Sequence, residues 1–359
     1  MTLEQIVGAA LMLLFLTDIF LTVLYARAGT GLLAPRWNRL VWAAVKAAAG
    51  LFGRRRGTVL SFAGPLIVVL LIGFWALGLT MGAALIIQPE LGTAIHPSTG
   101  SASTDFVTAL LLAGNSLSIV GGGDYGPHSS GTRILFLINS LIGASVLSLV
   151  LSYLVQVYSA LRERNALALT IDLMTNGTGD AAEALARLMP GGDDSDAAAE
   201  LGNLVRSLTA TKEAHHFYPL LFYFRFKEPL YSVSRFGFIL LDLVSLIETG
   251  LDRKRFRSLL GSAPVASLRR GTMLLLETLD RHFPTGGSRS GRAEDAWRYS
   301  QSYAAAARTL ADAGIEAEPD GVEQYVAVRS EWEPMIRRVA PTLGYSISDI
   351  ARRNAERPL

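Results

Sequence analysis

Between two apolar runs long enough to cross a bilayer, the chain carries Ser118-Ile119-Val120-Gly121-Gly122-Gly123-Asp124-Tyr125-Gly126-Pro127. Backbone inside a hydrocarbon layer must be hydrogen-bonded within the protein or line a watery cavity. A glycine-rich stretch in this position is therefore expected to fold back as a loop. A short helical pattern, residues 104–117, leads into it. Such a helix would be about 20 Å long, too short to cross a ~30 Å hydrocarbon core. Thr104 or Asp105 can cap its first turn.

Half of the residues are apolar and the mean hydropathy is positive, which points to several membrane spans. Residues 6–26, 62–87 and 134–161 have the length and composition for them. The first could be mistaken for a cleaved signal, since Ala26-Arg27-Ala28 mimics a small-x-small site. Its leading segment, however, carries Glu4 and no Lys or Arg, and the apolar run is too long for a signal core, so we read a retained helix. A net charge of +2 gives no argument for a nucleic-acid partner. The absence of cysteine excludes disulfides and thiolate metal sites.

Basic residues set the orientation. Arg27, Arg36, Arg39, Lys46 and Arg54-Arg55-Arg56 lie between spans one and two, and Arg162 and Arg164 follow span three. Residues 89–103 carry neither Lys nor Arg, and Arg133 is the exception on that side. The positive-inside rule puts the N-terminus outside and the chain after Arg162 in the cytoplasm, for a multi-pass protein of the plasma (inner) membrane. Trp37, Leu40, Val41, Ala44, Val45, Ala48 and Phe52 recur at helical spacing, which reads as an amphipathic helix in the inner headgroup region. Four domains follow: an N-terminal transmembrane helix (1–27), an interfacial linker (28–57), two helices around the loop (58–162) and a helical cytoplasmic domain (163–359).

From Glu163 onward, helical patterns follow one another, with breaks at Pro190-Gly191-Gly192, Pro219, residues 284–291, Pro334 and Pro341. Residues 236–247 are apolar but short and interrupted by Asp242, so a buried core helix is expected there. The aromatic cluster Phe217, Tyr218, Phe222, Tyr223, Phe224 and Phe226 reads as core. Asp193, Asp194 and Asp196 precede a helix, and a favourable dipole interaction accounts for them. No metal site, cofactor, nucleophile-base pair or nucleotide-binding glycine motif stands out, and no enzyme is expected.

The order short helix, Val120-Gly121-Gly122-Gly123-Asp124, then Pro127 before a second long helix resembles the pore region of the tetrameric potassium-channel superfamily, in its bacterial two-transmembrane form. The likeness covers residues 58–164. Together with the three spans read above, the first of them additional to that family form, it implies an all-α membrane protein with a re-entrant pore helix and filter loop, assembled as a homotetramer. The carbonyls of Ile119, Val120, Gly121 and Gly122 would line an ion filter, with Gly123 at its outer end and potassium or another monovalent cation as the permeant species. Two positions depart from the family. Ile119 stands where threonine supplies a hydroxyl ligand, and Gly122 stands where an aromatic braces the filter. Both changes weaken potassium-over-sodium discrimination.

Other residues keep two readings each. Asp124 would form an acidic ring at the outer mouth or hydrogen-bond behind the filter. Ser145, Ser148, Ser152, Gln156 and Ser159 share one face of span three, which lines a wet cavity or bonds to another helix. Gly143 is a hinge candidate or a close-packing site. Asp18, an ionisable group inside span one, could sense pH or voltage; we favour packing against a polar partner such as Asn139. Gly78 and Gly82 form a Gly-x-x-x-Gly face. The leading function is a passive cation channel gated or assembled by its helical cytoplasmic domain. The alternative is a membrane-anchored interaction or signalling protein with a degenerate, non-conducting loop.

Overall fold

The computed structural model describes residues 2–25, 31–118, 124–283 and 292–351. Among these, three helices are long and apolar enough to cross a membrane. They are α1 (Leu3–Ile19), prolonged by a π-helical turn Phe20–Leu24, then α3 (Ala63–Ile87) and α5 (Ser130–Met174). Helix α2 (Ala34–Gly50) lies between the first two, and α4 (Phe106–Leu117) is the short helix before the glycine run. Strands β1 (Ile95–Pro97) and β2 (Tyr125–Pro127) pair antiparallel, with His96 opposite Gly126.

Span three departs from expectation. Its 45 residues would measure about 67 Å, roughly twice a hydrocarbon core. The apolar run ends at Arg162, but Arg162 to Met174 are mostly good helix formers and no glycine or proline follows until Gly177. Helix propensity carries the rod on where hydropathy stops.

The chain divides into two compact units, residues 1–44 with 65–158, and residues 45–64 with 159–359. In the first, α1 lies directly against α3 through glycines. A Cβ at Gly78 would fall 2.2 Å from the Phe15 ring, and one at Gly82 would fall 2.6 Å from Met12. Lipid is as apolar as leucine, so helices here adhere by close fit. Phe15, Ile19, Leu71, Trp75, Leu79 and Val150 form one buried cluster; Met12, Ala83, Ile87, Leu91, Ile95, Ala109 and Leu112 form another. On α2, Asn38, Val41, Trp42 and Ala49 are buried, whereas Leu40, Ala44 and Ala48 are exposed, as is Phe52 just beyond it.

The second unit is a helical bundle of α6 (Ala181–Leu188), α7 (Ala197–Phe217), α8 (Val233–Gly250), α9 (Ala263–His282), α10 (Arg292–Asp312) and α11 (Gly321–Val339). Helix α8 is its axis: every residue but Glu248 is buried, and α6, α9 and α11 pack around it. Asp242, which interrupts the apolar run, is held by Tyr325 and Arg329 of α11. Arg329 is itself buried among the rings of Phe238, Tyr299, Tyr325 and Trp332 and also pairs with Glu333. Burial pushes the Asp242 carboxyl up, against the pull of Arg329. Buried ion networks contribute little net stability but fix one arrangement, because losing a partner strands the rest.

Two expectations need correction here. Helix α11 runs through Pro334 instead of breaking, because Trp332, Met335, Ile336 and Val339 are all buried and hold both sides of the missing amide in one helix. Phe217 is exposed, while Phe222, Tyr223 and Phe224 are core.

This second unit also holds both chain segments that adjoin residues 65–158. Arg164 of α5 is buried and donates to the carbonyls of Leu221 (2.9 Å) and Phe224 (3.0 Å). Arg225 donates to the carbonyls of Gly57 (2.7 Å) and Gly344 (3.2 Å). Lys46 Nζ lies 3.4 Å from each of the carbonyls of Pro341 and Thr342.

His215 sits fully buried on α7, its Nδ1 donating to the Thr211 carbonyl at 2.8 Å. Burial, followed by the nearby Arg164 charge, pushes its pKa down to about 3. The unfolded chain takes up a proton near pH 6.5 that the fold refuses. The stability His215 supplies is therefore complete above pH 6.5 and is lost as pH falls toward 3. Between pH 7 and pH 5 the loss is about 2 kcal/mol. Denaturant unfolding of the full chain at those two pH values should show it, and His215→Leu should flatten the dependence. An equally steep dependence in the variant would rule His215 out as the cause.

Candidate ion pathway

Helix α4 starts at Asp105, whose Oδ1 accepts from the Thr108 amide at 2.6 Å. Of the two cap candidates, Asp105 takes the position, and the Ser103 hydroxyl donates to its other carboxylate oxygen at 3.0 Å.

After α4 the sequence runs on to the glycines, and three of the helix's last four carbonyls have a donor. Gly114 accepts from the Ser118 amide (2.9 Å), Asn115 from the Ser118 hydroxyl (3.2 Å) and Ser116 from the Ser140 hydroxyl of α5 (3.0 Å). Orphan carbonyls at a helix end need such donors when water is excluded. Asn139 Nδ2 donates to the Ser116 hydroxyl at 3.0 Å, and that hydroxyl donates to the Ala113 carbonyl at 2.9 Å. Both Ser116 and Asn139 are buried. At Gly143 a Cβ would lie 1.7 Å from the Leu117 oxygen. The geometry at Gly143 is one of close approach within an unbroken helix.

Ile119, Val120, Gly121, Gly122 and Gly123 lie outside the described residues. What flanks them is anchored. On the far side, β2 begins at Tyr125, whose hydroxyl accepts from the Ser103 amide at 2.8 Å. Asp124 is exposed, and its carbonyl accepts from the Ser98 amide at 3.3 Å. The His96 and His128 rings stack across the strand pair with centroids 3.8 Å apart.

On α5, Ser145, Ser148, Ser152 and Gln156 are exposed and Ser159 is half-buried, on the side opposite the buried Val150, Tyr153 and Val157. Leu147, Leu151 and Val155, exposed as well, form an apolar flank between the two. A cavity of about 240 Å³ lies where α3, α4 and α5 meet, lined by Trp75, Leu79, Leu117, Gly143, Val146 and Val150 among others.

Asp18 is completely buried. One carboxylate oxygen accepts from the amides of Leu33 (2.7 Å) and Ala34 (3.3 Å); the other accepts from Trp75 Nε1 (2.8 Å). It thus caps α2 from another helix, where the dipole favours a negative charge. Asn139, the partner suggested by sequence, bonds to Ser116 instead. Sequence reasoning overlooked Trp75, Ser116 and Ser140. Ser116 and Ser140 were visible only as small polar residues, each beside an asparagine in an apolar segment, and the tryptophan was hidden by its hydrophobicity.

Residues 66–160 match the family described as Ion channel. These residues form an ion-channel domain. No curated protein and no solved structure matches the chain. The ion-channel domain takes in nearly all of α3, the paired strands, α4 and α5 as far as Ala160, so the glycine run sits inside it. One short helix and one loop per chain cannot enclose a pathway, and such a domain works as an oligomer in the membrane.

Asp18 gives the site its first test. Asp18→Ala leaves two buried N–H groups and one part-buried N–H without this acceptor and should cost about 2–3 kcal/mol. Thermal stability in mild detergent should fall, with Asp18→Asn intermediate because one carbonyl acceptor remains. Wild-type stability in Asp18→Ala would discard the anchoring role.

Proposed function

We propose that the chain is a homotetrameric, passive cation channel of the plasma (inner) membrane, conducting potassium with weak to moderate preference over sodium. The observation that carries this is the ion-channel match across residues 66–160, centred on a short helix that runs into a glycine-rich segment. α4 is then a re-entrant pore helix, and Ile119 to Gly123 supply rings of backbone carbonyls that replace the ion's water shell. Glycine favours such a lining because backbone oxygens can turn one way without side-chain conflict. Asp124 stands at the outer mouth. Ser145, Ser148, Ser152 and Gln156 line the inner cavity. The N-terminus lies outside and the helical unit lies in the cytoplasm, as the basic residues direct.

The helical unit is assigned the control of opening. It grips residues 45–64 through Arg225 and Lys46 and residues 159–174 through Arg164, so it holds the chain on either side of the conducting part. Conduction needs no catalytic step.

Purified protein in planar bilayers under mixed potassium and sodium gradients tests the reading. A reversal potential biased modestly toward potassium is expected, and Ile119→Thr combined with Gly122→Tyr should sharpen it. Anion permeation would end the pore assignment. Mass measurement in mild detergent should give a tetramer; monomer or dimer alone would favour a non-conducting membrane anchor.

Cysteines introduced at Ser145, Ser148, Ser152 and Gln156 should react with a small charged thiol reagent far faster than cysteines at Leu147 or Val150. Equal rates on all faces would remove the stripe from the cavity.

A further inference from the structure

Glycines 121–123 have no side chains with which to pack, and the described residues on either side of them are held by other elements. Tyr125 and the strand pair hold one end. The other is the last turn of α4, which packs against α1 and α3 and takes directed contacts from α5 within five residues. Asn139 donates to the Ser116 side chain, Ser140 donates to the Ser116 carbonyl, and Gly143 admits the Leu117 carbonyl into a notch too tight for any Cβ.

We propose that Asn139, Ser140 and Gly143 are positioning residues that set ion discrimination by fixing where the filter strand begins; the inference rests on the cation-channel reading above. Packing alone does not explain Asn139. Its Oδ1 is buried without a hydrogen-bond partner among the described residues. An orphaned buried acceptor costs about 1–3 kcal/mol, a cost that leucine of similar volume would avoid. The amide is retained for its other end, the directed bond to Ser116. That bond fixes rotation and height of the α4 terminus relative to α5, as a non-directional contact would not. Selectivity depends on the number and placement of carbonyl oxygens around the ion. A filter whose inner end is displaced presents a different set of oxygens to potassium and sodium while remaining an open path.

The test compares permeability ratios, which loss of folding or of open time leaves unchanged. Asn139→Leu removes the donor, Ser140→Ala removes the second bond, and Gly143→Ala pushes the Leu117 carbonyl away. Each is reconstituted in planar bilayers, with Val69→Ala on the exposed face of α3 as the control. The potassium-to-sodium ratio should change about fivefold in Asn139→Leu and Ser140→Ala, the equilibrium worth of one hydrogen bond. Gly143→Ala should change it in the same direction, and the control should keep it. Should Asn139→Leu fail to assemble, Ser140→Ala decides, since it removes one part-buried hydrogen bond and a single oxygen atom. Conducting variants that all keep the wild-type ratio overturn the inference and leave the channel reading intact. A wild-type protein that passes no cation overturns the channel reading itself, and the inference with it.

Discussion

A helix that ends among apolar side chains leaves backbone amides or carbonyls facing groups that cannot bond to them, and the membrane-type unit of this protein is organised around that demand. The amino end of α2 is met by the Asp18 carboxylate, which belongs to α1 and is fixed by Trp75 of α3. The carboxyl end of α4 is met by hydroxyls, that of Ser118, the residue that follows it, and that of Ser140 from α5. Each solution recruits a side chain from elsewhere in the sequence, so satisfying the backbone also ties the helices together. A carboxylate suits the first case because amides are donors and the dipole end is positive. Hydroxyls suit the second because carbonyls accept.

The remaining cohesion in that unit comes from absence of bulk. Gly8, Gly78 and Gly82 let α1 and α3 approach until Met12 and the Phe15 ring fill the space that side chains would take, and Gly143 does the same for α4 on α5. Without a hydrophobic gain between lipid-bathed helices, shape complementarity has to supply what burial supplies in water. The helical unit follows the other rule. α8 is buried on all sides, and a single guanidinium, Arg329, joins α8, α10 and α11 through Asp242, Ser302 and Glu333.

Much of this was legible in the sequence because hydropathy and helical spacing are local properties. The three spans, the short helix before the glycines and the buried character of residues 236–247 are written in consecutive residues. What escaped was set by partners distant in the chain. Asp18 was visible as an anomaly, but its donors depend on where α2 folds back. Asn139 pairs with Ser116, 23 residues away and on another element, which no periodicity reports. The span read over residues 134–161 gave no sign that α5 continues to Met174, because hydropathy marks an apolar run, whereas a helix stops for want of propensity or capping. Pro334 was taken as a break on the same kind of local evidence, and buried neighbours on both sides overruled it.

The polar seam of α5 has a geometric consequence. Passing from Ser145 through Ser148, Ser152 and Gln156 to Ser159 takes four steps over fourteen residues, an average of about 3.5 per turn, slightly under the 3.6 of a straight helix. Such a seam slips backwards around a straight rod by about 20° per heptad. Copies that keep it turned toward a shared axis must coil around one another with a left-handed pitch. In the proposed tetramer, untwisting such a superhelix would carry the serines sideways and bring the Leu147, Leu151 and Val155 flank toward the axis, exchanging a wettable wall for an oily one without bending a helix.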